Sequence, residues 1–309
     1  MVNLPSAATQ PTMYFIGVTT GQSSIMKIFP IWAKALGIDA CIKGIDIGLH
    51  APAEDYRATV DFIKNDPLSM GALVTTHKID LYNACKDMFE YFDPYALQFG
   101  EISSISKDGE KLCGHAKDPI SVGLALDSFV PADHWKNNPK AEACVLGAGG
   151  SSLAVSAYLA NEKHGDNVPA RINVNNRSVP RLAEAIHLLE KSRVPMSYHL
   201  CPQPEWNDKI VENLPEGSII INATGMGKDR PGSPLTDNCV FPKNAIVWEF
   251  NYRGTLEFMH QAEAQKEKQN LQIEDGWTYF IHGWTQVIAE VFHIDITGER
   301  LAMCDRLAR

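Results

Sequence analysis

Short apolar runs rich in β-branched residues alternate with longer segments of helical periodicity along most of this chain. Strands that alternate with helices at such spacing form right-handed βαβ units around a largely parallel sheet. The pattern predicts strands at residues 13–18, 40–47, 71–75, 143–146, 171–175, 218–222 and 246–250. It predicts helices at residues 24–36, 54–64, 120–129, 151–160, 180–191, 256–269 and 277–292. The sequence therefore predicts an α/β fold in two domains, the number that 309 residues favour.

Composition excludes several classes of function. The net charge is −9, from 28 Lys and Arg against 37 Asp and Glu, and no basic run offers a surface for nucleic acid. No stretch approaches the ~20 apolar residues of a membrane span. Seven scattered cysteines without a CxxC pair indicate reduced thiols and a cytoplasmic location. Because His, Cys and carboxylate residues show no ligand spacing, we expect no metal site.

A glycine-rich segment, VLGAGGSSLA at residues 145–154, follows a predicted strand and opens a predicted helix. This is the context that a dinucleotide-binding fingerprint requires. Gly147 would permit the tight turn, and Gly149 would let the backbone approach a pyrophosphate at the helix start. Ser152 replaces the third glycine of GxGxxG, so the segment is a variant. A purely structural turn, or a site for another nucleotide, is the alternative.

The strand after this loop distinguishes between the two nicotinamide dinucleotides. NAD sites usually carry an acidic residue at its end, to hold the ribose 2′-hydroxyl. Here the strand ends in NNRSVPR at residues 175–181, which has no carboxylate. Arg177 and Arg181 can grip a 2′-phosphate from two sides, because guanidinium forms bidentate bonds with phosphate. The sequence therefore favours NADP(H), and a solvated basic turn is the alternative.

Three segments of the second half together resemble the shikimate/quinate dehydrogenase family, and the resemblance extends over residues 13–298. GAGGSSLA is similar to the family's GAGGxxxA loop, NRSVPR to its NRTxxR adenosine-phosphate clamp, and NATGMG at residues 222–227 to its NATxxG turn beside the nicotinamide. The resemblance implies cofactor contacts from Gly147, Ala148, Gly149, Gly150, Asn176, Arg177, Ser178, Arg181, Ala223, Thr224, Gly225 and Met226.

The first half resembles the family's catalytic segments in altered form. GALVTTHK at residues 71–78 is similar to GxNVTxPxK with one residue fewer, and GHAKD at residues 114–118 is similar to GxNTD. The resemblance implies that Lys78 handles the substrate's hydroxyl proton and that Asp118 is its acidic partner, with a structural ion pair as the alternative. It also implies substrate contacts from Gln22, Ser24, Thr75, Ser103, Tyr252, His282 and Gln286.

Several positions depart from the family pattern. Family asparagines are replaced by Leu73, Ser103 and Ala116, and Gln22 replaces the first of two serines that normally hold a substrate carboxylate. A site built to bond a particular hydroxyl discriminates through its polar groups. We therefore expect a preferred substrate other than shikimate.

For four side chains near the predicted site residues in sequence or among them, a purely structural role is the alternative to a functional one. Ser24 is an expected N-cap as well as a substrate contact. His282 is predicted to share a helical face with Gln286. It is expected either to hydrogen-bond substrate hydroxyls or to pack in the core. Lys117 is expected to be solvated, and His77 is a weaker candidate for proton transfer than Lys78.

These expectations combine into one functional hypothesis. A substrate-binding domain at residues 1–130 is completed by helices at 275–309, and a Rossmann-type NADP-binding domain occupies residues 131–274, after a polar crossover at 131–140. The enzyme would transfer hydride reversibly between NADP(H) and a small polyhydroxylated alcohol or ketone, a cyclic hydroxy acid foremost, as a monomer or homodimer. A dehydrogenase for an amino- or sugar-derived substrate and a non-catalytic sensor of NADP(H) or metabolites are the alternatives.

Overall fold

The computed structural model describes residues 2–228 and 230–309. The chain divides into two compact units. The first runs to Lys117 and resumes from Gly283 to Arg309, and the second spans Asp118–His282. No helix within the described ranges has the length and the apolar character that crossing a bilayer demands.

The strands are short, as is usual for βαβ proteins. In chain order they are β1 (Thr12–Gly17), β2 (Cys41–Asp46), β3 (Ser69–Val74), β4 (Tyr91–Phe92), β5 (Ser104–Asp108), β6 (Lys111–His115), β7 (Ala143–Leu146), β8 (Ile172–Asn176), β9 (Met196–Leu200), β10 (Ile219–Asn222), β11 (Ile246–Glu249) and β12 (Gln272–Glu274).

The helices connect these strands. They are α1 (Ile25–Leu36), α2 (Ala53–Asn65), α3 (Lys78–Cys85), α4 (Pro94–Phe99), α5 (Asp118–Phe129), α6 (His134–Asn137), α7 (Gly150–Leu159), α8 (Val179–Leu188), α9 (Pro204–Glu212), α10 (Glu257–Glu263), α11 (Lys266–Gln269), α12 (Trp277–Phe292) and α13 (Gly298–Ala308).

The second unit has a parallel sheet in the order β12-β11-β10-β7-β8-β9. The chain builds outward from β7 in one direction and then, from β10, in the other. This is the doubly wound Rossmann order, in which ligands bind where the direction reverses, at the carboxyl ends of the central strands. The α/β prediction with a Rossmann-type domain is confirmed.

The first unit has a mixed sheet in the order β2-β1-β3-β5-β6-β4. β1 is parallel to β2 and β3, whereas β5 is antiparallel to β3 and β6. The β5–β6 hairpin, which the periodicity did not predict, turns at Gly109, where φ is +62°. α13 completes this unit, because the buried Trp32 indole of α1 donates to the Cys304 carbonyl at 2.8 Å.

Most predicted elements lie within two residues of the observed ones, and α12 and β7 coincide with them. The helix predicted at 256–269 is wrong in one respect, since it divides into α10 and α11. Gln265 leaves helical geometry, with φ of −112°. Its side chain donates to the Cys239 carbonyl and accepts from the Phe241 amide, at 2.8 and 3.2 Å.

The chain divides at 117/118 and 282/283, whereas the sequence predicted limits at 130/131 and 274/275. The segment 131–140 is inside the second unit, where α6 buries His134 and Trp135 and His134 Nε2 lies 2.8 Å from the Gly217 carbonyl oxygen. α5 also belongs to this unit. Gly123 lets α5 approach α7, because a Cβ there would lie 2.1 Å from the Tyr158 ring.

Candidate functional site

The glycine loop lies at the reversal point of the second sheet, between β7 and β10. Gly147 has a φ of +119°, and its amide donates to the Asn175 carbonyl at 2.7 Å. A Cβ on Gly147 would lie 2.7 Å from the Ala223 carbonyl oxygen. Both the backbone angle and the close approach therefore require glycine.

Gly149 has a different reason to lack a side chain. It is the N-cap of α7 with an extended backbone, φ −93° and ψ −175°, which any residue adopts. A Cβ there would meet no protein atom within 4 Å. The first amides of α7 thus border open space, which is suited to an anion that approaches the backbone. Ala148 and Ser152 on either side are buried.

The turn after β8 presents two guanidinium groups. The Asn176 side chain accepts from the Ser178 amide at 2.8 Å and so shapes the turn that carries the exposed Arg177. Arg181, also exposed, donates to Glu184 at 2.7 Å. Because exposed ion pairs contribute about 0–1 kcal/mol, this contact holds the guanidinium group only weakly.

The turn after β10 is fixed by side-chain amides. Asn222 accepts from the Thr224 amide and hydroxyl, at 3.1 and 2.7 Å, and donates to Glu249 Oε2 at 2.7 Å. Asn251 donates to Glu249 Oε1 and to the Met226 carbonyl, at 2.7 and 2.9 Å. The fully buried Glu249 therefore links residues 222–227 to the end of β11.

Burial sets the ionisation of Glu249. It raises the pKa of this carboxyl to about 7, although the hydrogen bonds from Asn251 and Asn222 act in the opposite direction. The carboxyl therefore exchanges its proton near neutral pH, next to the turn that the family resemblance assigns to the nicotinamide.

Three further predicted site residues belong to the second unit: Tyr252, His282 and Asp118. The Tyr252 ring is 4.4 Å from that of Phe280 and 5.8 Å from that of Trp277. His282 of α12 is 6% exposed, and burial lowers its pKa, which favours a neutral imidazole. Asp118 begins α5 and is half-buried.

In the first unit, polar groups gather at the carboxyl ends of β1, β2 and β3. Asp46 accepts from the amide and the hydroxyl of Thr20, at 2.8 and 2.6 Å, and so fixes the turn that carries Gln22. Thr75 donates from its amide to the Ile16 carbonyl at 3.1 Å. A Cβ on Gly17 would lie 3.1 Å from the Thr75 hydroxyl, which places that hydroxyl beside the turn.

Ser24 occupies the N-cap position of α1, as predicted, but its side chain makes no capping hydrogen bond. Its backbone is helical, with φ −55° and ψ −32°, whereas a capping residue is typically extended. Ser24 and Gln22 are both exposed.

Lys78 begins α3, directly after the buried His77, and is half-buried. His77 Nδ1 lies 3.1 Å from the Tyr56 hydroxyl, and its Nε2 lies 2.9 Å from the Ile47 carbonyl oxygen. Both nitrogens thus have partners in the core, which is the arrangement of a structural histidine. The Lys78 carbonyl accepts from the Ile102 amide at 3.0 Å, so Lys78 is next to the segment that leads into β5.

Ser103 uses its hydroxyl within the fold. This hydroxyl donates to the His115 carbonyl at 3.3 Å and accepts from the Lys117 amide at 2.7 Å. The side chain is buried, at 3% exposure. It therefore orders the segment that leads from β6 to Asp118.

The prediction of a solvated Lys117 is wrong. Its side chain is 11% exposed, and its ammonium donates to Glu290 Oε2 of α12. Glu290 Oε1 lies 3.3 Å from His115 Nε2, and His115 Nδ1 lies 3.8 Å from Asp93. Burial lowers the pKa of His115, although the negative charge of Glu290 acts to raise it. Burial opposes ionisation of Glu290, but the Lys117 ammonium and His115 hold its pKa below the usual value.

The structure thus gathers the predicted residues into two sets. Gln22, Ser24, Thr75, Lys78, Ser103 and Gln286 belong to the first unit, and Asp118, Tyr252, His282 and the cofactor residues to the second. Sequence reasoning missed Asp46, Glu249 and Glu290. The Lys117–Glu290 contact spans 173 residues, and no local pattern reveals it. Within the described ranges, no three His, Cys, Asp or Glu residues are grouped to hold a metal ion.

No family model matches this chain. A shikimate dehydrogenase (NADP(+)) of Brucella abortus strain S19 is 25% identical over 261 residues, which are 82% of this chain and 79% of that protein. The solved structure of a Listeria monocytogenes shikimate 5-dehydrogenase, in complex with shikimate and NAD, covers 99% of both chains with a TM-score of 0.74 and 15% identity. The chain is therefore similar in sequence and in fold to shikimate dehydrogenases over most of its length.

A second kind of enzyme has the same fold. The ligand-free structure of a 5-ketofructose reductase of Gluconobacter sp. strain CHM43 covers 97% of this chain and 98% of that one, with a TM-score of 0.72 and 16% identity. These likenesses show that this chain shares its fold with both kinds of enzyme.

Proposed function

We propose that this protein is an NADP(H)-dependent oxidoreductase of the shikimate dehydrogenase type. It transfers hydride reversibly between NADP(H) and the secondary alcohol or ketone of a small polyhydroxylated substrate. The observation that carries the proposal is the similarity to an NADP(+)-dependent shikimate dehydrogenase over about four-fifths of both chains. We expect a cytoplasmic enzyme that acts as a monomer or homodimer.

The residues of the second unit suit the cofactor. The open space at Gly149 admits a pyrophosphate to the amides of α7, and Gly147 keeps the turn close to β10. Arg177 and Arg181, with Asn176 and Ser178, would hold the 2′-phosphate. Residues 223–226 would border the nicotinamide, which when bound exchanges a hydride with the substrate carbon.

Lys78 and Asp118 would handle the proton. When the alcohol is oxidised, Lys78 in its neutral form would accept the hydroxyl proton as the carbonyl forms. Asp118 would orient Lys78 and stabilise its charged form. In the reverse direction, Lys78 returns the proton to the alkoxide oxygen that hydride transfer creates.

The remaining predicted contacts would position the substrate. Gln22, Ser24 and Thr75 lie at or beside the ends of strands in the first unit, where loops commonly bind ligands. Tyr252, His282 and Gln286 would add contacts from the segments after β11 and along α12. Ser103 would act through the backbone of Lys117, because its hydroxyl is bonded there.

The test measures the absorbance of reduced nicotinamide with NADP(+) or NADPH and a panel of cyclic hydroxy acids, cyclitols and keto sugars. Lys78→Ala is expected to lower kcat by roughly 10²–10⁴-fold while the Kd for NADPH is unchanged. Lys86→Ala, an exposed lysine of the same unit, is the control. Tight NADPH binding without turnover of any compound would favour the sensor, and no NADPH binding would refute the proposal.

A further inference from the structure

Lys117 and Glu290 form a partly buried ion pair, and Lys117 stands where the pattern of the resembled family has threonine. The two side chains are 11% and 26% exposed. Exposed ion pairs contribute only about 0–1 kcal/mol, and in buried pairs the cost of removing the charges from water offsets their attraction. Stability alone is therefore a weak reason for these two residues, and a role in ligand recognition is worth testing.

The pair lies beside the segment that carries Lys78. The Ile102 amide donates to the Lys78 carbonyl at 3.0 Å, and the next residue, Ser103, accepts from the Lys117 amide at 2.7 Å. The segments at 78, 102–103 and 115–117 are therefore neighbours at one edge of the first sheet. The backbone of Lys117 is thus linked to that of Lys78 through residues 102 and 103.

A cavity of about 440 Å³ opens onto the pair. Lys117, Gln286, Glu290 and His293 line it, together with residues 294–297. This volume is in the range of small-molecule sites. Gln286 is one of the residues that the sequence assigns to the substrate.

The positive charge of Lys117 and the negative charge of Glu290 compensate each other where they line this cavity. The buried imidazole of His115 lies next to Glu290, 3.3 Å from Oε1. Asp93 faces His115 from the other side, and His293 and Asp295 are exposed at the rim. The floor thus offers N–H donors and carboxylate and amide acceptors without an uncompensated positive charge. Hydroxyl groups, which donate and accept, match such a surface better than a carboxylate does.

We infer that the Lys117–Glu290 pair is a specificity-determining element that recognises hydroxyl groups of a neutral polyol. The inference rests on the proposed function and narrows its substrate class to uncharged cyclitols or sugars and their ketones. It replaces the cyclic hydroxy acid as the foremost candidate.

The experiment compares ligands that differ only in charge. Quinate and shikimate are measured against their methyl esters, with inositol and 5-ketofructose as further neutral probes, for kcat/KM with NADP(H) and for Kd by calorimetry. The wild-type protein is expected to prefer the neutral member of each pair about tenfold or more.

Glu290→Gln leaves the Lys117 charge uncompensated and keeps the side-chain size. It is expected to shift the acid-to-ester ratio toward the acid by about tenfold. The double variant Lys117→Met/Glu290→Gln removes both charges and is expected to restore the preference for the ester. Glu299→Gln, an exposed position of α13, is the matched control and is expected to keep the wild-type ratio.

Two results would overturn the inference. One is a wild-type preference for the acids, or binding of none of the probes. The other is a Glu290→Gln variant that loses the same factor for every ligand, because a purely structural pair acts in that way. If no turnover occurs, the calorimetric ratios still decide the inference, whereas the absence of NADPH binding and turnover refutes the proposed function separately.

Discussion

Two glycines of one loop are predicted to respond in opposite ways to the same added methyl group. In Gly147→Ala the methyl meets the Ala223 carbonyl oxygen at 2.7 Å, and the residue must keep a φ of +119°. Backbone strain and the clash together are expected to lower the free energy of unfolding by about 3 kcal/mol. Gly149→Ala has an allowed backbone and open space, so its unfolding free energy is expected to change by less than about 1 kcal/mol.

Gly149→Ala, which is expected to have little effect on stability, is expected to have a large effect on the affinity for NADPH. In Gly149→Ala the methyl occupies the space through which a pyrophosphate would reach the amides of α7. Loss of two charge-assisted hydrogen bonds, at about 1.5 kcal/mol each, raises the Kd for NADPH about 100-fold. The variant is thus expected to be as stable as the wild type and deficient in cofactor binding.

Urea unfolding and fluorescence titration with NADPH measure the two effects independently. If Gly149→Ala binds NADPH as the wild type does, a pyrophosphate does not approach this backbone, and the assignment of the loop fails. If Gly147→Ala unfolds at the wild-type urea concentration, the close approach of β7 and β10 is not a constraint. Either result refutes the reasoning at a named position.

Three other changes are open to direct measurement. Gly71→Ala places a methyl 2.1 Å from the Ile105 carbonyl oxygen at a φ of +123°, and is expected to destabilise the protein by about 3 kcal/mol in urea unfolding, while Gly21→Ala, in open space, is not. Because the pKa of Glu249 is about 7 in the folded protein and near 4.5 when unfolded, its contribution to stability is present at low pH and falls by about 3 kcal/mol as pH rises from about 4.5 to 7. Glu249→Gln is expected to flatten that part of the pH profile, and an unchanged slope contradicts the assignment. Arg177→Ala is expected to raise the Kd for NADPH about tenfold and leave that for NADH unchanged, and equal losses for both exclude a 2′-phosphate contact.

The sequence predicted the parts of the fold in which strong local patterns coincide. β7 is an apolar run followed by glycines, and both its limits and the start of α7 were predictable from these signals. β4 and β12 are two and three residues long and are not fully buried, so they lack a periodic pattern. The β5–β6 hairpin carried a usable signal, because a two-residue turn that begins with glycine, here Gly109-Glu110, is typical of hairpins.

Site residues were predictable where a motif surrounds them and hidden where they depend on contacts distant in sequence. Gly147 and Arg177 belong to contiguous motifs, whereas Glu290 reaches Lys117 across 173 residues. The raised pKa of Glu249 depends on its complete burial, which no single sequence reveals. Side-chain environment, rather than residue identity, was the missing information.

The first unit is assembled from the two ends of the described chain, and this affects the order of folding during synthesis. Trp32 of α1 obtains its hydrogen-bond partner, the Cys304 carbonyl, 272 residues later. All of Asp118–His282 leaves the ribosome before that partner does, and domains generally fold as units during synthesis. During synthesis, the surface of α1 that α13 covers therefore stays exposed while the Rossmann unit folds. Prior folding of that insertion shortens the loop that α13 must close, which lowers its entropic cost.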